Sequence, residues 1–502
     1  MQDQPQTAGY RKPLFIFEMA NNHQGDVDHG LRIIQAMAEL AERYDIPAAV
    51  KLQYRDLDTF IRPDFRGRTD VKHVGRFEST RLTADEFQTM IRAIKAAGMK
   101  AVVTPFDEAS VERCLDHGVD VIKIASASVT DWPLLEEIAQ AGKPVIFSTG
   151  GVGLADIDRV VTFFEHRGVE DLSILHCVGI YPTDNADQRL GFMRRMQKRY
   201  PHCTIGYSGH ESPDNVLPGR AVAAMGAEIL ERHVGVPTDE ITLNKYSMNP
   251  EQAAAWIEAV LETLEMVGTD GDKVINEAET ASLLSLRRGV FAAGDVAEGD
   301  TLDREHVYFA FPAEEGQTTT SDWHEGMTAT RAYKANEPLT EARERGPIQE
   351  VRAVVHEAKG MLREAGIATG EDYEVELSHH YGMERFREVG AVIVNFFNRE
   401  YCKKLILLLP GQRHPLHSHK SKEETFQVLY GDMELSLDGE TTTMRPGDLE
   451  TVKRGQVHAF KTDGGVIFEE VSTTHIKGDS YYEDEAIARL DPIERKTVIS
   501  QW

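Results

Sequence analysis

Through the first 270 residues, short β-branched apolar runs alternate with stretches whose apolar residues recur every three or four positions. The runs lie at 14–20 (LFIFEMA), 48–54 (AAVKLQY), 100–106 (KAVVTPF), 121–127 (VIKIASA), 144–150 (PVIFSTG), 172–178 (LSILHCV), 204–210 (TIGYSGH) and 228–234 (EILERHV). Their length and composition predict strands. The segments between them, such as LRIIQAMAELAERY, FQTMIRAIKAAG and PLLEEIAQAG, predict amphipathic helices ending near Gly or Pro. Eight such units over about 250 residues predict a (β/α)8 barrel spanning 1–270 rather than an open doubly wound sheet. Polar side chains gather where the runs end: Lys51, Gln53, Thr104, Lys123, Ser126, Ser148, Thr149, Tyr181, Ser208, His210 and His233. The C-terminal strand ends of such barrels carry their active sites. A barrel that served only as a scaffold would not need polar residues there, so this distribution points to chemistry.

The pattern then changes. After the helical stretch NPEQAAAWIEAVLETLEMVG, a polar linker is expected from Thr269 to about Ser285. Residues 286–346 read as a small β-rich module with Gly-Asp turns between short apolar runs. A helix over IQEVRAVVHEAKGMLREAG opens the last region, 348–502, which continues from Tyr373 as strands separated by Gly and Pro turns, an all-β domain.

Composition narrows the function. Hydrophobic residues make up 41% of the 502 and charged residues 27%, which suits globular domains. The net charge of -27 disfavours nucleic acid as a partner. Any phosphate pocket must therefore be assembled locally from lysines and main-chain amides. Four cysteines without a CxxC pair suit a reducing compartment. The start, MQDQPQTAGYRKP, lacks an apolar signal core, and no apolar run approaches the roughly 20 residues that span a bilayer. A soluble, cytoplasmic chain without membrane partners is the expectation.

Nine segments in order, EMANNHQGD, VKLQY, VTPFD, IKIASA, FSTGG, LHCVGIYPT, IGYSGH, LERHV and YSMNP, resemble the sialic acid synthases and the related spore-coat polysaccharide synthases. Residues 286–346 resemble the antifreeze-protein-like domain those synthases carry. The resemblance implies condensation of phosphoenolpyruvate with a sugar aldehyde to a 3-deoxy-ulosonic acid. It implies that His210 and His233 hold a divalent ion (Mn, Mg or Co) that polarises the aldehyde. Lys51, Thr104, Lys123, Ser126, Ser148 and Ser208 match positions that hold phosphoenolpyruvate. Glu18, Gln53 and Tyr181 match positions near the sugar, with Glu18 the candidate for handling a proton. A domain-swapped homodimer is implied too, the small module covering the partner's barrel. A phosphorylated aldose, or a barrel that binds sugar without turnover, are the competing readings.

Several positions depart from that pattern, mainly on the sugar side. Ser128 stands for a glutamate, Gly179 for an asparagine, Gly209 for the aspartate of an SDH-type motif and Phe311 for an arginine, and TLNKY offers no acid before Ser247. The acceptor is therefore expected to differ from N-acetylmannosamine. In the last region, Gly411, His417-x-His419, Glu424 and Gly431, followed by PGD at 446–448 and His458, fit the cupin motif. Two His at i and i+2 share a strand face. With Glu424 and His458 they make a ligand set for Mn, Fe, Zn or Ni. The segment HPLHSHKSKEETF is similar to cupin-type sugar isomerases of the D-lyxose isomerase group, which implies an isomerase or epimerase whose base candidates are Glu469, Glu470 and His475.

Overall fold

The computed structural model describes residues 11–499 apart from 270, 272, 341–346 and 372. The chain divides into two compact units, Met1–Lys273 and Val274–Trp502. In the first, eight parallel strands close into a barrel in sequential order: β1 (Leu14–Glu18), β2 (Ala48–Tyr54), β3 (Lys100–Pro105), β4 (Val121–Ile124), β5 (Val145–Ser148), β6 (Leu172–Cys177), β7 (Thr204–Gly209) and β8 (Ile229–His233). Closure is made by β1 against β8, with Glu18 beside His233. The two faces of each strand bury different things. Phe15, Phe17, Val50, Leu52 and Val103 pack outward with Ile33, Met37, Met90 and Ile94 of the surrounding helices. Ile16, Ala49, Val102, Val121, Ile146, Leu175 and Ile229 face inward and form a separate apolar plug. Local signals place the helices. Thr83 and Glu86 form a reciprocal capping box at the start of Ala84–Ala96, and Asn249 with Gln252 does the same before Pro250–Val267.

The expected linker is not irregular throughout. Asn276 accepts a hydrogen bond from Glu279 N at 2.8 Å and starts a helix, Glu277–Leu284. None of its residues is buried, so it lacks the apolar stripe by which helices are read from sequence.

In the second unit, Gly289–Ala292 pairs antiparallel with Val307–Ala310, and Thr301–Leu302 with Met327–Thr328. These strands enclose their own small core of Val290, Val296, Leu302, Val307, Met327, Tyr333 and Leu339. Residues 341–346 of the expected β-rich module lie outside the described residues. From Glu374 onward come a seven-stranded and a five-stranded antiparallel sheet, the cupin architecture. The helix Pro347–Glu364 seats Val354, Ala358 and Leu362 in the same core as Val375, Leu377, Val392 and Leu407. Among the described residues no helix is long and apolar enough to cross a membrane.

Candidate functional site

The barrel site follows from the apolar plug by counting. Side chains alternate along a strand, so two residues beyond each inward apolar residue another side chain faces inward. Ile16, Ala49, Val102, Val121, Ile146, Leu175 and Ile229 lead in this way to Glu18, Lys51, Thr104, Lys123, Ser148, Cys177 and Glu231, and on β7 Gly206 leads to Ser208. At the C-terminal end the interior thus changes in one step from hydrocarbon to a buried layer of charges, hydroxyls and a thiol.

Four members form a chain of ion pairs, and Ser208 joins it by a hydrogen bond. Lys51 Nζ lies 2.5 Å from Glu18 Oε2 and 2.8 Å from Glu231 Oε1. Lys123 Nζ lies 3.0 Å from Glu231 Oε2, and Ser208 Oγ donates to Glu231 Oε1 at 2.8 Å. Burial is the largest influence on Lys51 and brings it down to about 8, against the pull of Glu231. Burial would raise the Glu231 carboxyl, but Lys123 and Lys51 outweigh it and hold it well below the usual carboxylate range. Gln53 Nε2 donates to Glu18 Oε1 at 3.3 Å while its Oε1 accepts from Arg55 at 3.0 Å. By contrast, Thr104 Oγ1 and Ser148 Oγ are buried with no partner. A buried hydroxyl without a partner is costly, and two of them beside two lysines suit the oxygens of an anionic ligand. Ser126 is placed differently. It sits in a short 3-10 turn, and its Oγ accepts from Gly150 N at 2.9 Å, propping the turn after β5.

Above this layer the ring centres of His210 and His233 are 5.4 Å apart. Val178 O accepts from His210 Nδ1 at 3.1 Å, which fixes the proton there and leaves Nε2 as the free donor atom. Burial lowers His210 to about 4 and His233 well below its ordinary value, so both imidazoles are neutral, the form that binds metals. The Tyr181 ring lies 4.2 Å from His210, and Tyr246 lies 5.0 Å from His233 and 5.1 Å from Tyr181, walling the pair with aromatic surface. These neutral, adjacent imidazoles fit a divalent ion.

The cupin site is more compact. Possible ligand atoms of His417, His419 and His458 lie within 4.8 Å of one another. Each Nδ1 is held by a main-chain carbonyl: His417 by Pro415 at 3.0 Å, His419 by Asp479 at 2.7 Å and His458 by Gln456 at 3.2 Å. All three Nε2 atoms are thereby left to a ligand. Glu424 Oε2 stands 3.2 Å from His458 Nε2 and Oε1 3.5 Å from His419 Nε2. His458 Nε2 and Glu424 Oε2 have no hydrogen-bond partner although buried. The donor set fits a transition-metal ion. Beside it, Lys422 pairs with Glu424 and lies 3.2 Å from Glu470, which Lys404 approaches to 3.7 Å. Burial would raise Glu470, but Lys404 and Lys422 bring it below the usual range. Of the base candidates, Glu470 faces this cluster, and burial lowers His475 to about 4, with Lys404 and Lys422 adding to the effect. Glu469 is not brought there. It points to the other side of its strand and pairs with Lys403 at 2.5 Å.

Sequence reasoning passed over Glu231, Tyr246, Lys404 and Lys422. Glu231 carried a usable signal, since it lies two residues beyond an inward Ile and two before His233 on one strand.

The profile of the NeuB family matches residues 41–272, and that of the cupin domain residues 404–471. A crystal structure of a Chromobacterium violaceum protein, assigned as spore coat polysaccharide biosynthesis protein E, shares 49% identity over 66% of this chain and 98% of that one, with a TM-score of 0.64. N-acetylneuraminate-9-phosphate synthase of Drosophila melanogaster is 28% identical over 252 residues, 49% of this chain and 66% of that protein. N,N'-diacetyllegionaminic acid synthase of Campylobacter jejuni is 22% identical over 340 residues, 66% of this chain and 100% of that protein. With a barrel of this architecture and a relative matched over nearly its whole length, the chain belongs to the NeuB family and carries a cupin domain later in its sequence.

Proposed function

We propose that the barrel is a transferase that condenses phosphoenolpyruvate with an unphosphorylated aldose, giving a 3-deoxy-ulosonic acid and inorganic phosphate. The observation that carries this reading is the buried polar layer, where Lys51 and Lys123 share the barrel interior with Thr104 and Ser148, whose hydroxyls have no partner of their own. Two ammonium groups with Thr104, Ser148 and Ser208 match the needs of an enol phosphate carrying a carboxylate. The domain borders are taken as 1–270, 286–346 and 348–502, in a cytoplasmic homodimer.

In the reaction, carbon 3 of the enol forms a bond to the aldehyde carbon and the aldehyde oxygen takes a proton. Carbon 2 becomes electron-deficient, water adds there and loses a proton, and the C–O bond to phosphate breaks as the new hydroxyl becomes the keto group and its proton passes to the departing phosphate. A divalent ion (Mn, Mg or Co) bound by His210 and His233 would supply Lewis acidity at the aldehyde oxygen. Lys51 and Lys123 hold the anionic donor and balance its charge as phosphate leaves. Glu18, already 2.5 Å from Lys51, is placed to move a proton at the aldehyde oxygen or the entering water. Tyr181 and Gln53 orient the sugar.

The cupin acts on the sugar side of the same chemistry, isomerising or epimerising an aldose for the barrel. A bound Mn, Fe, Zn or Ni would polarise a sugar carbonyl, and Glu470 would carry the proton between carbons. The test of the barrel reading is phosphate release from phosphoenolpyruvate across a panel of free and phosphorylated aldoses. Release with none of them sinks it. The cupin reading predicts metal-dependent exchange of a sugar proton in deuterated water, and fails if a metal-loaded protein exchanges none.

A further inference from the structure

The ends of β7 and β8 are tied together by side chains that the proposed chemistry does not use. Arg232 and Glu211 are both fully buried, at 0% exposure. Arg232 Nε lies 3.2 Å from Glu211 Oε1. One residue precedes His233 and the other follows His210. Arg232 Nη2 also donates to the main-chain carbonyls of Glu211 and Ser212, both at 3.0 Å. Tyr207 OH, within hydrogen-bond reach of Gln188 Oε1 at 2.7 Å, lies 2.8 Å from Glu211 Oε2. A single guanidinium on β8 therefore grips the segment that carries His210 away from β7.

Such a pair is poorly explained by stability. Replacing a buried ion pair by apolar side chains of similar volume is often neutral or stabilising. What the pair does fix is the separation of two strand ends. Position 209 adds an independent observation. The motif that this stretch resembles has aspartate there, and this chain has glycine. A β-carbon at 209 would stand 2.4 Å from Glu211 Oε2, 3.0 Å from Glu211 Cδ and 2.5 Å from Tyr207 Cε1. The Glu211 carboxylate occupies the space into which a side chain at 209 would project.

Resting on the reading that His210 and His233 share a metal ion, we propose that Glu211 supplies, from two residues downstream, the carboxylate that the motif places at 209, and that Glu211 and Arg232 are positioning residues that set the spacing of the two imidazoles. Gly209 is then the mark of a relocated charge, not of a lost sugar contact.

The experiment uses the full-length chain carrying His417→Ala and His419→Ala, so that only the barrel takes up metal, and measures Mn(II) affinity by calorimetry beside the melting temperature. Glu211→Gln should weaken Mn(II) tenfold or more. The apolar pair Glu211→Met/Arg232→Met should fold and show the same loss. Adding Gly209→Asp to Glu211→Ala should recover most of the affinity that Glu211→Ala removes. A folded Met/Met variant with unchanged Mn(II) affinity overturns the positioning role, whatever becomes of Glu211→Gln. A swap that folds without recovery, or does not fold, overturns the relocation. A parent protein that binds no Mn(II) overturns the metal reading beneath and this proposal with it.

Discussion

The two candidate centres solve different problems with much the same side chains. In the barrel, two lysines and two glutamates neutralise one another across β1, β2, β4 and β8, and two imidazoles lie above them. In the cupin, three imidazoles converge with their Nδ1 atoms anchored to the main chain, and the lysines stand to one side on Glu424 and Glu470. The first arrangement suits an anion held by fixed charge, with a metal as accessory. The second suits a metal that itself holds the ligand. Both centres hold buried lysine–glutamate pairs, and they differ in the imidazoles, two in the barrel against three with anchored Nδ1 atoms in the cupin.

Metal removal should separate the centres most sharply. His417→Ala/His419→Ala should strip the cupin's ion, seen by elemental analysis, while phosphate release by the barrel continues. His210→Ala or His233→Ala should abolish phosphate release and leave the cupin's ion in place. Loss of both functions in either variant would break the comparison. Next in size, Lys123→Ala removes a charge-assisted contact worth roughly 1.5–3 kcal/mol, so phosphoenolpyruvate should bind one to two decades more weakly by calorimetry.

Glu231→Gln should act through pH. Lys51 stands at about 8 with Glu231 as its partner. Without that carboxylate its value falls further, so the ammonium is lost earlier as pH rises. Phosphoenolpyruvate affinity should then decline from near neutrality, by about tenfold per pH unit once Lys51 is mostly neutral, whereas the wild type holds until about pH 8. An unchanged profile would remove Glu231 from the network's function. On the cupin side, His380 is buried and held at about 3, chiefly by burial. Its folded value lies below the unfolded one near 6.5, so the unfolded chain takes up the extra proton. The stability it supports is complete above pH 6.5 and falls on acidification by up to about 1.4 kcal/mol per pH unit. Urea titrations of His380→Gln at pH 7, 6 and 5 should show a shallower decline than the wild type. The smallest effect belongs to Thr104→Val, which deletes one unpartnered hydroxyl. It should raise the KM for phosphoenolpyruvate less than tenfold, in line with about 1 kcal/mol for a neutral hydrogen bond.

Much of the barrel was legible because its strands are buried on both faces and read as apolar runs, and because its polar residues lie where those runs end. Lys51, Thr104, Lys123 and Ser148 could be named from that alone. Glu231 is harder to see, because LERHV draws attention to His233, although its step of two from the inward Ile229 marks it as inward too. The helix Glu277–Leu284 was hidden because nothing on it is buried. In the cupin, the candidate ligands His417, His419, Glu424 and His458 follow from the two halves of one motif. The lysine cluster depends on Lys404 and Glu470, 66 positions apart in sequence and brought side by side by pairing of their strands. At position 209 the sequence shows which residue is absent, but not that the Glu211 carboxylate fills the space a side chain there would take.

The mutual neutralisation of Glu18, Lys51, Lys123 and Glu231 also bears on how a donor reaches the site. Two positive and two negative groups present almost no field at a distance, while the chain as a whole carries -27. A multiply charged anion diffusing toward the barrel mouth therefore meets repulsion first and attraction only on contact. Added salt screens the long-range part, with a Debye length of about 10 Å at 0.1 M, and leaves the buried contacts largely untouched. The association rate of phosphoenolpyruvate should accordingly rise with ionic strength, the reverse of an enzyme that steers its anionic substrate inward, while the dissociation rate stays nearly constant.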